Sequence, residues 1–313
     1  MNSTVPPLEV TPRDLSAYRQ GNVGIEYVHQ FESGQPGPHV LINALTHGNE
    51  FCGMVAACHL LDAGIRPQRG TLTISFANVA AYETFDPKRP FESRQITHNF
   101  NRIWSDAWLD GPQDSIELRR ARQMRPVIAA ADHILDLHST SQDVEPFWVY
   151  PHHDRNAVVA RSLPAPSVHL VMPQGLGSGT PVIQHGRHGQ AHSDAGAALV
   201  AECGQHFKQS SADLAVEVTL NFLGHFGLIE RNLGPLTPAR RFELLKTHVI
   251  AHADFKFTRP VVGFETFAQG ELIAMDGDEA IVAPCDDCTL FMPTREPIVG
   301  REGVYLTRPL QDA

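Results

Sequence analysis

The chain has 313 residues, of which 42% are hydrophobic and 19% charged, a composition that predicts a sizeable core in two domains, or in one large domain with an appendage. Its formal net charge is −10, with no block of Lys or Arg, which argues against a nucleic-acid-binding surface because such surfaces need clustered positive charge. No apolar run approaches the ~20 residues of a membrane span, and five scattered cysteines favour a reduced, cytoplasmic protein. We therefore expect no nucleic acid or membrane partner.

Apolar runs and runs with helical spacing alternate along most of the chain and predict a succession of strands and helices. The predicted strands cover residues 23–28, 39–45, 71–77, 132–137, 167–172 and 197–201. The predicted helices cover residues 51–61, 115–131 and 211–226, and the inner face of the second one carries Ile116, Leu118, Ala121, Val127 and Ile128. The irregular segment 82–111 is longer than structural loops usually are, and a second loop, 175–196, is rich in Gly and His.

The composition changes after Gly227. Before this point several strands are apolar throughout, which is typical of a mainly parallel sheet covered on both faces. After it come a polar, Pro-bearing segment and then short predicted strands, at 261–266, 271–274, 280–283, 289–292 and 303–306. We expect an α/β fold with a mixed, mainly parallel central sheet flanked by helices, and a smaller all-β C-terminal domain. The predicted domains are residues 1–230 and 231–313.

The motif Thr46-His47-Gly48-Asn49-Glu50 lies between a predicted strand and a predicted helix. His47 then lies in the turn and Glu50 in the first helical turn, so the imidazole and the carboxylate can converge on one point. One nitrogen and one oxygen ligand suit Zn²⁺, which needs a third protein ligand and an open position for catalysis. Alone, the motif also suits a polar loop followed by a Glu that faces the helix dipole.

Two further polar residues, His138 and Glu202, each follow an apolar predicted strand. Ligands and catalytic groups collect at the carboxyl edge of open parallel sheets, so we expect both beside the motif. His138 would complete a two-His, one-Glu zinc set with one position left for water, and Glu202 is the candidate general base. Asp136 or Ser139 could hold the outer nitrogen of a ligating His. The alternative for His138 is a histidine hydrogen-bonded to the backbone, and the alternative for Glu202 is a carboxylate paired with a nearby Lys or Arg.

The irregular segment contains Arg94 and, eight residues later, Arg102. A guanidinium group can bind a substrate carboxylate with two hydrogen bonds or stabilise an oxyanion. Asn101 can add a directed amide donor. The same residues also suit a solvated surface loop.

The sequence resembles the succinylglutamate desuccinylase/aspartoacylase family, zinc enzymes related in fold to the zinc carboxypeptidases. The resemblance is carried, in the right order, by Thr46-His47-Gly48-Asn49-Glu50, Phe100-Asn101-Arg102, Asp136-Leu137-His138-Ser139-Thr140 and Ala201-Glu202-Cys203-Gly204. It implies one Zn²⁺ per chain on His47, Glu50 and His138, with Glu202 as the general base and acid. The β-rich tail also resembles the second domain of the family, which narrows the cleft.

The resemblance also implies roles for the irregular segment. Asn101 and Arg102 would hold the amino-acid carboxylate, and Arg94 would polarise the scissile carbonyl. The reaction implied is hydrolysis of the linear amide of a small N-acyl amino acid or a related N-acyl amine.

The sequence departs from the aspartoacylase pattern at several positions. Asn99 stands where aspartoacylase-like members have Asp, and His192 stands where aspartoacylases have an Arg for the substrate side chain. In the tail Tyr305 is the one tyrosine, and it is not at the expected place. N-acetylaspartate is therefore not the expected substrate. His192 or the loop 184–188 could replace the missing contacts, whereas Cys285 and Cys288 are expected to be inert.

The sequence as a whole predicts a zinc-dependent amidohydrolase, a deacylase that acts on a small N-acyl amino acid or amine. A carboxypeptidase for short peptides is the alternative among enzymes, and a zinc-binding protein without turnover is the alternative outside them. Glu202 argues against the last alternative, because a site without turnover needs no base beside its metal. A homo-oligomer is left open.

Overall fold

Strands and helices alternate along most of the chain in the computed structural model, which describes residues 6–173 and 176–310. The helices are α1 (Phe51–Asp62), α2 (Val79–Tyr82), α3 (Asp106–Leu109), α4 (Ile116–Ala130), α5 (Asp154–Arg161) and α6 (Gln209–His225). The strands are β1 (Val28–Glu32), β2 (His39–Ala44), β3 (Thr71–Phe76), β4 (His133–Thr140), β5 (Phe147–Pro151), β6 (Val168–Met172), β7 (Ala198–Gln205), β8 (Arg240–Val249), β9 (Lys256–Phe257), β10 (Thr266–Phe267), β11 (Leu272–Asp276), β12 (Glu279–Val282), β13 (Cys288–Phe291) and β14 (Glu302–Leu310). The outer ends of the two predicted domains, residues 1–5 and 311–313, and Gly175 of the predicted loop lie outside the described residues.

A mainly parallel sheet forms the centre of the molecule. Its strands lie in the order β1-β3-β2-β4-β7-β5-β6-β8-β14-β13-β10, and β3, β2, β4 and β7 are parallel neighbours. Because side chains alternate along a strand, Val40 and Ile42 of β2 pack into the apolar layer of α1 and α6, and Leu41 packs into the layer of α4. The sheet is thus covered on both faces, and the predicted fold class is confirmed.

The chain beyond residue 230 is rich in β-strands, and part of it extends the central sheet. Strand β8 pairs in parallel with β6 and antiparallel with β14, and β13 and β10 continue from there. A separate sheet has the order β12-β11-β9, and a third apolar cluster, which includes Ile250, Ile273 and Leu290, lies in this region. The division into domains 1–230 and 231–313 stays a prediction. None of the helices in the described ranges combines the length and apolarity that crossing a membrane requires.

Some predicted elements are wrong or were missed. The strand predicted at 23–28 is instead β1, because Gly24 and Tyr27 have φ values of 76° and 61° and form a turn before it. The strand predicted at 261–266 is reduced to β10, since Gly263 and Phe264 also have positive φ. Strands β5 and β8 and helix α5 were missed: β5 is a short run that follows one proline and ends on another, and charged residues interrupt β8.

Helix α4 turns a different face inward at its start. Ile116, predicted on the inner face, is exposed, whereas Glu117 beside it is fully buried. Leu118, Ala121 and Ile128 are buried as predicted. The hydrophobic pattern could not predict this exchange, because it depends on what the Glu117 carboxylate contacts.

Candidate metal and catalytic site

The turn between β2 and α1 places two polar side chains inside the protein. Leu45 has a φ of 56°, which helps turn the chain after β2. A Cβ on Gly48 would lie 2.3 Å from the Ser93 carbonyl oxygen and 2.4 Å from the Tyr82 nitrogen, so only glycine fits there. Glu50 is the N-cap residue of α1, and both it and His47 are buried.

The two His residues and the Glu predicted as metal ligands lie together. Glu50 bridges the imidazoles: its Oε1 lies 2.8 Å from His47 Nδ1, and its Oε2 lies 2.8 Å from His138 Nδ1. One ligand atom from each of the three residues lies within 4.8 Å of the other two. Residues 47, 50 and 138 come from a turn and from β4, and the parallel pairing of β2 with β4 brings them to one edge of the sheet.

The outer nitrogens of both imidazoles contact side-chain oxygens. His138 Nε2 lies 2.8 Å from Asp136 Oδ2, and His47 Nε2 lies 3.0 Å from Asn99 Oδ1. Of the two predicted candidates for this contact, Asp136 makes it, whereas the Ser139 hydroxyl contacts another imidazole. Such contacts favour the tautomer with the proton on Nε2, in which each Nδ1 can offer its lone pair to a cation held beside the Glu50 carboxylate. The donor set, two Nδ1 atoms and a carboxylate, fits Zn²⁺.

The electrostatics of the group are compatible with a bound cation. Burial, followed by Arg94, lowers the pKa of His47 to about 4. Burial also acts to lower the pKa of His138, but Asp136 and Glu50 outweigh it and raise that pKa well above its ordinary value. Burial opposes ionisation of Glu50, yet the His47 and His138 imidazoles hold its pKa well below the usual range. A buried carboxylate kept ionised between imidazoles is a favourable place for a divalent cation.

Glu202 lies on β7 directly opposite His138 in the parallel β4–β7 pair. The residue is 8% exposed, and its Oε2 has no hydrogen-bond partner among the described residues. Burial raises the pKa of Glu202 to about 8, although His138 acts to lower it. A buried carboxylate oxygen without a partner, beside a candidate metal group, is suited to exchanging a proton with water or with a substrate.

Arg94 contacts the same group from the irregular segment. Its Nη1 donates to Glu50 Oε1 at 3.1 Å, and its side chain is 31% exposed. The backbone N–H of Gly48 donates to the Arg94 carbonyl oxygen at 3.1 Å. The guanidinium therefore lies beside the His47–Glu50–His138 group and is partly open to solvent, so a molecule bound there could contact it.

Arg102 is already paired with a side chain from the other end of the chain. Its Nε and Nη2 donate to Glu302 Oε1 and Oε2, both at 2.8 Å, and Nη2 also lies 3.0 Å from the Tyr305 hydroxyl. Asn101 accepts the backbone N–H of Val182 at 2.9 Å through Oδ1, which leaves its Nδ2 as the group that can meet a ligand. Tyr305, which does not stand at the family's expected tyrosine position in the sequence, thus lies beside a predicted substrate residue.

His192 is the one predicted site residue that lies on the surface. It is exposed in the loop that precedes β7, and its role stays a prediction. The other histidines of this loop support the scaffold: His185 Nδ1 lies 2.8 Å from the Trp104 carbonyl oxygen, and His188 Nε2 lies 3.1 Å from that of Ala131.

Sequence reasoning missed several residues around the site. His206 is buried, and its Nδ1 lies 2.8 Å from the Ser139 hydroxyl; burial lowers its pKa to about 3. In the sequence, Asn99 is only a departure from the family pattern, and nothing there distinguishes Glu302, which is 200 residues from its partner Arg102. The one sequence feature that could have indicated a place for His206 near the site is its closeness to Glu202 in the chain.

Together, the fold and the site define a mixed α/β protein with a candidate metal centre at the carboxyl edge of its sheet and, beside it, an acid whose Oε2 has no partner in the described part of the chain. Residues 36–222 match the family model of the succinylglutamate desuccinylase/aspartoacylase catalytic domain, and the chain belongs to this family. It is 30% identical over 121 residues to the human (Homo sapiens) N-acyl-aromatic-L-amino acid amidohydrolase (carboxylate-forming), a match that covers 35% of this chain and 36% of that protein. The chain thus spans about a third of the length of the curated relative.

Solved structures of similar fold cover nearly the whole chain. Succinylglutamate desuccinylase from Chromobacterium violaceum has a TM-score of 0.67 at 19% identity, with 92% of this chain and 89% of that chain covered. The succinylglutamate desuccinylase from Vibrio parahaemolyticus has a TM-score of 0.66 at 17% identity, with 91% and 87% covered. The ectoine utilization protein from Ruegeria pomeroyi has a TM-score of 0.64 at 16% identity, with 91% and 88% covered. At these identities the likeness establishes the fold.

Proposed function

We propose that this protein is a zinc-dependent deacylase that hydrolyses the amide bond of a small N-acyl amino acid or a related N-acyl amine. The observation that carries the proposal is the buried Oε2 of Glu202, which has no partner within residues 6–173 and 176–310 and lies beside the His47–Glu50–His138 group. A structural carboxylate would have found a partner, since an unsatisfied buried acid is costly. Membership of a family named for a desuccinylase and an acylase supports the same reaction.

The residues of the chain have distinct roles in this proposal. His47, Glu50 and His138 would hold Zn²⁺, which supplies Lewis-acid activation of a water molecule. Glu202 takes the proton released in the attack and passes it to the leaving amine nitrogen, so its Oε2 must be free. Arg94 stabilises the negative charge that develops on the carbonyl oxygen of the substrate.

The substrate carboxylate would be held by the pair Asn101 and Arg102. Because Glu302 occupies Nε and Nη2 of Arg102, and one N–H of Nη1 donates to the Asn101 carbonyl oxygen at 2.7 Å, a carboxylate would meet the second N–H of Nη1 and Asn101 Nδ2. We also retain His192 as a proposed substrate contact, which requires its loop to reach the cleft. The predicted cytoplasmic location and the possible homo-oligomer stay predictions.

A hydrolysis screen with zinc-loaded protein tests the proposed function. It should include N-acetyl, N-succinyl and N-formyl amino acids, with aromatic amino acids and glutamate among them because the names of the relatives contain these groups. Blocked dipeptides with a free C-terminus test the carboxypeptidase alternative in the same assay. We expect turnover of at least one N-acyl amino acid or amine. No turnover of any of them, with zinc bound, would contradict the proposal.

A further inference from the structure

The segment between Arg94 and Asn99 contributes to the site from both of its ends. Arg94 Nη1 lies 3.1 Å from Glu50 Oε1, and Asn99 Oδ1 lies 3.0 Å from His47 Nε2. Between these residues the chain forms neither helix nor strand. Some other feature of the molecule must therefore keep the segment in place.

The carboxylate of Glu117 holds this segment through three consecutive backbone groups. Its Oε1 accepts the N–H groups of Ile96 at 2.7 Å and Thr97 at 3.1 Å, and its Oε2 accepts those of Thr97 at 3.3 Å and His98 at 3.2 Å. Both oxygens are thus used by a single short stretch of chain. Residues 96–98 lie in the chain between Arg94 and Asn99, which contact Glu50 and His47 of the candidate metal group His47–Glu50–His138.

Glu117 is an unusual residue for a buried position. Its side chain has no exposed surface, and within residues 6–173 and 176–310 it forms no ion pair. Its charge is met by three peptide N–H groups and by the N-terminal end of α4, where it lies in the first helical turn after the N-cap Ser115. A buried charge without a cationic partner is costly, so these N–H groups must be held close for the charge to be tolerated.

We propose that Glu117 is a positioning residue for the reaction, which holds Arg94 and Asn99 against the metal group by binding the backbone of residues 96–98. The role in turnover rests on the proposed function, whereas the restraint on the segment does not. Glutamine at this position would offer one acceptor oxygen and would turn an NH₂ group toward N–H donors, so it would release part of the segment. Aspartate would keep both acceptor oxygens on a side chain one methylene shorter.

Amide hydrogen exchange on the wild-type protein tests the restraint without any variant. Peptides that cover residues 96–98 should exchange slowly, by at least about tenfold relative to an unprotected loop amide. In Glu117→Gln the same peptides should lose this protection, while peptides from β4 keep theirs. Fast exchange at 96–98 in the wild type would overturn the proposal, even if the variant does not fold.

Zinc binding and kinetics test the consequence for the site. Because Asn99 contacts the outer nitrogen of His47, Glu117→Gln should weaken zinc affinity by roughly tenfold or more. At saturating zinc it should lower kcat by about tenfold with KM changed less than threefold, because Arg94 acts on the transition state. Glu117→Asp should recover part of both losses. Glu92→Gln, in the same part of the chain but 64% exposed, is the matched control and should leave both quantities unchanged.

The results separate failure of this proposal from failure of the proposed function. If no substrate is found, the exchange and zinc-affinity measurements still decide the role of Glu117. A folded Glu117→Gln protein with wild-type zinc affinity and wild-type protection at residues 96–98 would overturn it. The proposal would also be overturned if the activity of Glu117→Gln fell only in proportion to the fraction of folded protein and Glu117→Asp did not reverse the loss.

Discussion

Replacing Glu202 by glutamine should remove turnover and leave the His47–Glu50–His138 group intact. The amide has nearly the same size, so the packing of β7 is kept, but it cannot take a proton from water. General acid–base catalysis contributes ~10²–10⁴-fold, so kcat should fall by that factor, which corresponds to about 3–5 kcal/mol in the activation barrier. Zinc content, measured in the same samples, should stay at one ion per chain because Glu202 is not in the His47–Glu50–His138 group.

The same substitution should also stabilise the metal-free protein, and this gain should increase with pH. Burial raises the pKa of Glu202 from 4.5 to about 8 in the folded protein. At pH values between 4.5 and about 8, Glu202 keeps its proton in the folded chain but has lost it in the unfolded chain. The free energy of unfolding of the wild type therefore decreases as pH rises. At ~1.4 kcal/mol per pH unit, the difference in unfolding free energy between Glu202→Gln and the wild type should grow by about 4 kcal/mol from pH 5 to pH 8.

Urea unfolding in the presence of a chelator measures this difference directly. Wild type and Glu202→Gln are compared at acidic, neutral and mildly alkaline pH, with Glu92→Gln as an exposed control that should stay within about 0.5 kcal/mol of the wild type at each pH. A difference that does not change with pH would refute the reasoning, because it would mean that Glu202 is ionised in the fold throughout. Its role as a base with a raised pKa would then be lost.

Three further predictions concern the rest of the site. Arg94→Ala should lower kcat by ~10²–10³-fold at full zinc occupancy, and an unchanged rate would remove Arg94 from the reaction. Chelation should abolish turnover and added zinc should restore it. Zinc uptake near pH 7 should release protons from His138, whose pKa is raised, and from Glu202. Calorimetry in two buffers of different ionisation enthalpy detects this proton release as a heat of binding that depends on the buffer. Glu302→Gln should leave the Arg102 charge without its partner and lower the unfolding free energy by about 3 kcal/mol, and an unchanged urea midpoint would contradict this account of the pair.

The local sequence signals identified the His47–Glu50–His138 group because each signal is short in range and chemically specific. An apolar run, a glycine turn and a helical run indicated where His47 and Glu50 would lie, and strand ends indicated His138 and Glu202. Parallel pairing then makes convergence follow, since all these strands end at the same edge of the sheet. The same signals failed for β8, because charged residues interrupt its apolar pattern and its place is set by pairing with β6 and β14.

The sequence by itself thus determined the α/β class, the mainly parallel sheet and the four residues on which the proposed chemistry depends. Only the tertiary structure decided that Glu302 pairs with Arg102 and that the carboxylate of Glu117 faces the core to bind the segment after Arg94. The first contact joins residues 200 positions apart in the chain. The second requires Glu117 to be buried while its apolar neighbour Ile116 is exposed, which is the opposite of what the hydrophobic pattern of the helix predicts. A buried charge is tolerated only where particular donors surround it, and no local pattern records where those donors will be.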